Sequence, residues 1–403
     1  MLTQVFSPRI SIIFSLVCLV GMNIAEAQAI KNPPIQQEST DIIDVLVKAF
    51  NISTKEKTPD KKKVSFSIIP VSTVSSGGDK VFVSSINAAF VLGHEDSTNV
   101  SNVYLLPYTD FSDNFGFGTK VNIWTAGNAW NIPGEFRIST LAQYSYGLGS
   151  DTETSDQFKL TYNNVRLYFA GNRKLARYLY GGLGMNYDRY YNVAAKDAPT
   201  TPNEFEKYGI GTGSTSNSTG VTFNLLRDNR KNSINPDNGF YTSFVFRVNP
   251  PMLKNDNQWS SLYLDARKYY RINLSKRKIL AVWGFYWGSY GNVPYFNLPG
   301  TQMEFGSRSG RGYSRARFIG KQMLYFESEY RFDITANGLL GATVFVSAQS
   351  LTDPNINKFQ YVNPAAGIGA RIKFNKTSNT NFTMDVGFGQ NAVNFYVGLG
   401  EYF

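Results

Sequence analysis

From Val64 to Phe403 the sequence repeats one pattern about sixteen times: a run of some nine or more residues with alternating apolar and polar side chains, closed by a turn or loop. A strand sends successive side chains to opposite faces, so each run presents one apolar and one polar face. The runs lie at 64–74, 80–92, 99–110, 114–125, 135–146, 157–170, 175–191 and 218–228. They continue at 238–249, 258–272, 277–290, 321–334, 338–350, 360–374, 380–390 and 393–403. No long segment carries the 3.6-residue period of an amphipathic helix, and mean hydropathy is negative, which excludes a bundle of membrane helices.

One strand alone does not separate a soluble sheet from a membrane barrel. In 321–334, Leu324, Phe326, Tyr330, Phe332 and Ile334 share a face and Glu327, Glu329, Arg331 and Asp333 share the other, which suits either setting. The connections decide between them. Long ones follow odd-numbered strands (147–156, 192–217, 291–320), whereas "GNRK", "NLSKRK", "TANG" and "NKTSNT" make tight turns after even-numbered ones. Outer-membrane barrels have this parity, with short periplasmic turns and longer external loops. Composition agrees, since 15% aromatic residues and 35 glycines suit interfacial girdles and a curved, closed sheet. The reading is all-β: a transmembrane antiparallel barrel of sixteen strands.

Ahead of it, 1–29 has the build of a secretory signal: Arg9, an apolar run too short to span a bilayer, and small residues at Ala25, Ala27 and Ala29. Cys18, the sole cysteine, lies in that run, so the mature chain is expected to hold neither a disulfide nor a cysteine-metal site. Residues 30–63 are expected to form a periplasmic segment in which Asp41 caps a short helix with Ile42, Ile43, Leu46 and Phe50 on one side, docked at the mouth of a barrel spanning 64–403. The net charge of +10 points to outer-membrane lipids, including lipopolysaccharide, as counter-charge; no nucleic-acid motif accompanies it.

The longest basic loop, "SGRGYSRARFIG", precedes the twelfth strand. Its arginines need acceptors, and Glu327 and Glu329 face the lumen, so the loop is expected to fold inward with Arg311 on those carboxylates. Gly310 and Gly312 permit close backbone approach, and Tyr313 would pack against the inner wall.

At these residues the chain resembles the bacterial surface-antigen family of outer-membrane insertases and translocases that includes BamA and TamA. "GRGY", Gly310 to Tyr313, is similar to that family's loop motif and "EYRFDI" to its following strand. "LRDNRKNSINPDNG" resembles its periplasmic turn at Asp228, Arg230, Asn232, Pro236 and Gly239. The resemblance implies a lumen latch of Arg311, Gly312, Tyr313, Glu327 and Glu329, and a C-terminal strand ending in Phe403 that assembly machinery recognises. It also implies a subgroup without the periplasmic POTRA modules. Ser347 and Gln349 stand where the family shows Asp and Gly, and Lys231 replaces an acidic turn residue.

The implied function is assistance to outer-membrane protein or lipid assembly or translocation through a weak seam between first and last strands, with client proteins or complex subunits as partners. A scaffolding subunit and a narrow diffusion channel are the alternatives. No cofactor, metal or catalytic residue is expected. His94, the only histidine, falls in a turn; "GIGTGST" lacks the Lys-Ser/Thr of a phosphate loop; and Glu95 with Asp96 makes no calcium site. A barrel stable in detergent will migrate differently on gels boiled and unboiled; identical mobility together with fractionation into soluble periplasm would refute the barrel reading.

Overall fold

The computed structural model describes residues 39–50, 65–74, 80–94, 96–109, 114–196, 204–253, 255–273, 277–304 and 308–403; for 65–85 it describes the backbone. The expected signal segment lies outside these residues, as does most of the segment placed between it and the barrel. Alternation resolves into one antiparallel sheet whose strands follow chain order. The first half comprises β1 Ser65–Val74, β2 Lys80–Phe90, β3 Ser101–Thr109, β4 Phe115–Trp124, β5 Trp130–Ser145, β6 Phe158–Ala176, β7 Leu179–Lys196 and β8 Thr215–Asp228. The second comprises β9 Gly239–Asn249, β10 Trp259–Asn273, β11 Lys278–Gly291, β12 Gln322–Asp333, β13 Leu340–Leu351, β14 Asn363–Asn375, β15 Thr380–Gly389 and β16 Ala392–Leu399. Helix α1, Ile42–Ala49, precedes β1, and a short helix α2, Glu204–Tyr208, lies in the β7–β8 loop.

The two faces separate as the alternation requires. On β13, Val344 and Val346 are exposed while Phe345 between them is buried, and on β12 Phe326 is exposed while Glu327 and Glu329 are fully enclosed. An apolar surface around a polar interior is the arrangement a bilayer selects, since every backbone donor and acceptor must be paired within the sheet. The sheet returns on itself, β1 lying beside β16. Among the described residues, however, no ladder of backbone pairs joins these two strands.

The lumen is filled from both ends. From the loop end, 292–304 and 308–321 enter, burying Val293, Tyr295, Phe296 and Leu298 against Phe158, Leu160, Tyr162 and Tyr190 of the inner wall. From the other end, the β8–β9 turn reaches β3, where Asn102 Nδ2 donates to Ser233 Oγ at 3.1 Å, and the turn 376–379, where Asn232 Nδ2 donates to the Ser378 carbonyl at 2.9 Å. A cavity of about 760 Å³ remains between the two plugs.

Three expectations change. "GNRK" is not a turn: its residues continue β6, and the hairpin closes at Arg177 and Tyr178, the latter at φ 63°. Polar turn-forming residues here extend a ladder, with Asn172 opposite Gly182 and Arg173 opposite Gly181. Second, the last strand stops at Leu399. Gly400, at φ 79°, takes a left-handed conformation that suits glycine and turns the chain inward, so Phe403 does not share the exposed face of Val393 and Phe395 but packs, tilted, on Trp283 with ring centroids 5.3 Å apart. Third, α1 does not dock by its apolar side.

That helix is held by polar groups. Asp41 and Asp44 form a reciprocal capping box, Asp41 Oδ2 accepts from the Lys376 backbone N–H at 3.0 Å, and Lys376 Nζ donates to Asp44 at 2.7 Å. Burial would raise the Asp44 carboxyl, but Lys376 and the Asp41 backbone N–H outweigh it and hold the group below its ordinary value of 3.8. Because the folded value is the lower one, the contribution is complete above the ordinary value and disappears as pH falls through the lowered one. A spin label at Ala49→Cys in detergent should therefore gain mobility on acidification, whereas a Lys376→Ala chain should be mobile already at neutral pH. An exposed pair is worth roughly 0.2–1 kcal/mol, so the expected release is partial; unchanged mobility in Lys376→Ala would show that the pair does not hold the helix.

Candidate functional site

Period two on β12 aims Glu327, Glu329 and Arg331 into the lumen, and the loop brings Arg311 to meet them. Its Nη2 donates to both Glu327 Oε1 and Glu329 Oε2, and its Nη1 donates to Asp385 Oδ2 of β15 at 2.8 Å. All four side chains are fully enclosed. The guanidinium lies between two rings, 3.6 Å from the Phe345 centroid and 4.3 Å from that of Tyr402. A planar cation can accept ring faces above and below while its edge serves carboxylates, which an ammonium cannot do.

Around this centre the charges continue. Arg371 bonds Asp385 and, at 2.8 Å, Glu401; Arg331 bonds Glu329 and, at 2.9 Å, the Phe403 carbonyl; Tyr325 donates to Glu327. Three guanidiniums thus share four carboxylates drawn from the loop, β12, β14, β15 and the C-terminal tail. Desolvation makes each member dependent on the others, because an unpaired charge here has no water to fall back on.

The loop tip also rests on the last strands. Tyr396 of β16 accepts from the Gly312 backbone N–H and donates to the Tyr313 carbonyl, both at 2.9 Å, and Asn394 Nδ2 donates to the Gly312 carbonyl at 3.0 Å. Tyr313 Oη donates to the Pro364 carbonyl at 2.6 Å. Gly312, at φ 111°, adopts a backbone that other residues avoid, and a Cβ there would press on Ala365. Small residues on the inward side of β14 make the floor: a side chain at Gly369 would overlap Asp385, and one at Gly367 the Phe345 ring.

A second anchor holds the loop to the opposite wall. Asp188 accepts from Arg166 at 2.9 Å, Arg247 at 2.8 Å, Tyr168 at 2.6 Å and Asn297 of the loop at 3.1 Å. In the turn motif, Arg230 makes a paired contact with Asp228 at 3.0 and 2.8 Å and covers the Tyr241 ring, with Pro236 and Gly239 buried. Lys231 is exposed, so its departure from the acidic pattern meets no buried partner.

Sequence reasoning brought together Arg311, Gly312, Tyr313, Glu327 and Glu329, which the structure places in one cluster. It missed Asp385, Tyr396, Tyr402 and the role of Glu401. Ser347 lies on β13 opposite Glu327, and the third carboxylate comes instead from β15; Gln349 accepts from Thr301 Oγ1 at 3.0 Å. The signal for Asp385 was in β14, where Ala365, Gly367 and Gly369 leave room on one face. His94 is exposed in the β2–β3 turn.

The sequence model of the Omp85 superfamily domain matches residues 124–403. The chain belongs to this superfamily. The match takes in β5 to β16 and with them every residue of the latch. Among solved structures, the Omp85 barrel here is similar to BamA from Haemophilus ducreyi lacking POTRA domains 1-3, at TM-score 0.53 and 12% identity over 85% of this chain and 71% of that one. It is also similar to CdiB from Escherichia coli, at TM-score 0.53 and 10% identity over 83% of this chain and 67% of that one. Identities this low speak for the fold. No curated protein sequence matches the chain. Among the described residues, α1 is the one element ahead of β1.

Removing Arg311 would leave Glu327 without a cation and Glu329 and Asp385 with only Arg331 and Arg371, and breaking such a buried set costs about 3–5 kcal/mol. Arg311→Ala should lower the unfolding temperature, open 292–321 to protease and raise single-channel conductance; Asp385→Asn, which keeps the shape, should do so less. Unchanged digestion and conductance in Arg311→Ala would mean that the loop is held by its aromatic contacts and its other polar anchors, at Asp188, Asn394 and Tyr396, without the ion cluster.

Proposed function

We propose that this chain is an Omp85 barrel that assists assembly or secretion of outer-membrane proteins laterally, between β1 and β16, in the outer membrane of a Gram-negative bacterium. Membership of the superfamily supports the general role. The observation that supports the lateral route is the seam: among the described residues, fifteen neighbouring strand pairs are laddered and β16 to β1 is not. β16 is also short, at 8 residues against 19 in β6, and its inner face is held by the loop tip rather than by a strand partner.

An unpaired edge in hydrocarbon carries a cost for every free backbone group, and an incoming strand with free donors and acceptors relieves it. Client strands are therefore the partners proposed, and lipopolysaccharide the lipid on the external side. Pro70 lies within β1, opposite Ser84 of β2, and contributes no donor to either neighbour. The filled lumen argues against a wide diffusion channel.

Cysteine pairs scanned between 67–71 of β1 and 394–398 of β16, in a chain whose own cysteine has been removed, would lock the seam. Locked barrels reconstituted in liposomes should lose client insertion by tenfold or more and regain it with reductant, while folding as judged by gel mobility is unchanged. Full activity in an oxidised, demonstrably cross-linked barrel would replace lateral insertion with the scaffolding role.

A further inference from the structure

An amphipathic helix on a protein normally buries its apolar side, and α1 leaves its apolar side open. Asp41, Asp44 and the Thr40 backbone N–H, which donates to the Asn337 carbonyl at 3.2 Å, tie it to the turns 334–339 and 376–379. Ile43, Leu46 and Phe50 form one side and stay open, Phe50 at 71% exposure, and no residue of the helix is buried. Eight residues capped at one end and tied by polar contacts do not form a stable helix in water without something to cover that side.

The surroundings identify the cover. The turn that Thr40 bonds is where the outward apolar column of the barrel ends: Ile334, exposed, leaves β12, and Leu340, exposed, begins the column that Val344 and Val346 continue on β13. The open side of α1 therefore starts where the hydrocarbon-facing surface stops. The rim at this end is basic, with Arg173, Lys174, Arg177, Lys231 and Arg271 exposed, and Lys48 adds to it at the helix. In the sequence, five lysines against two acids follow the helix between 51 and 63.

We infer that α1 is an interfacial helix: Ile43, Leu46 and Phe50 sit among the acyl chains of the leaflet at the short-turn end, and the basic rim neutralises anionic phospholipid headgroups there. The helix thereby fixes the barrel's depth beside β12 to β14, on the side of the strands that carry the latch carboxylates.

The full chain with Cys18→Ser is labelled with nitroxide at Leu46→Cys, Phe50→Cys or Lys48→Cys and reconstituted in phosphatidylcholine vesicles with and without phosphatidylglycerol, folding being checked by gel mobility. With phosphatidylglycerol present, the ratio of collision with oxygen to collision with a water-soluble nickel chelate should be several-fold higher at Leu46 and Phe50 than at Lys48, and it should fall when the anionic lipid is omitted or salt is raised. Equal ratios at all three sites would mean a solvated helix and overturn the inference. Protection of Leu46 and Phe50 from both reagents would also overturn it, because the cover would then be protein, a second copy or another chain. Deep labels indifferent to phosphatidylglycerol would overturn the role of the basic rim.

Discussion

One guanidinium with three carboxylates, enclosed where water does not reach, determines how the interior of this barrel is organised. Arg311 belongs to a loop that sequence places between β11 and β12, yet its partners lie on β12 and on β15, three strands apart. A buried cation of this kind has no neutral alternative, since arginine keeps its proton at any ordinary pH. The loop must therefore bring it to those acceptors, and the acceptors must converge. The glycines of β14, the ring of Phe345 and the inward direction of Asp385 all follow from that single requirement.

The C-terminal tail is drawn into the same arrangement. A strand continued past Leu399 would place Glu401 toward the membrane, where a carboxylate is costly. Turning at Gly400 instead gives Glu401 two arginines and the side-chain amide of Asn381, while Arg308 of the loop donates to the Glu401 carbonyl. The same turn ends β16 at Leu399.

The sheet was legible because period two is a local property: each residue's face is set by its neighbours in sequence, and a miscounted turn such as that at "GNRK" displaces a boundary without inverting a strand. The latch was half legible. Arg311, Glu327 and Glu329 are close in sequence and joined by a charge argument, whereas Asp385 is a single acid in an otherwise ordinary strand and becomes meaningful only once β14 is known to pack beside it with Ala365, Gly367 and Gly369 facing in. The inward turn of Glu401 is a tertiary fact that no local pattern carries. The helix α1 was recognised by its apolar side, but the polar attachment that orients that side outward depends on Lys376, more than three hundred positions away.

For the proposed function, the decisive comparison is between the two ways out of the lumen. Axial passage requires 292–321 to leave, which breaks the buried ion cluster at about 3–5 kcal/mol for a single partner lost. It also returns Val293, Tyr295, Phe296 and Leu298 to water at roughly 1.5–3 kcal/mol for each large side chain. These terms act together, because the loop cannot withdraw its arginine and keep its aromatic residues in place. Lateral opening between β1 and β16 breaks no ladder among the described residues and leaves the cluster intact, since Tyr396 and Asn394 hold β16 to the loop from within. Under the proposed function the latch would act on the choice of route: by making the lumen expensive to clear while fixing the last strand's inner face, it would leave the edge between first and last strands as the least costly place for the barrel to open.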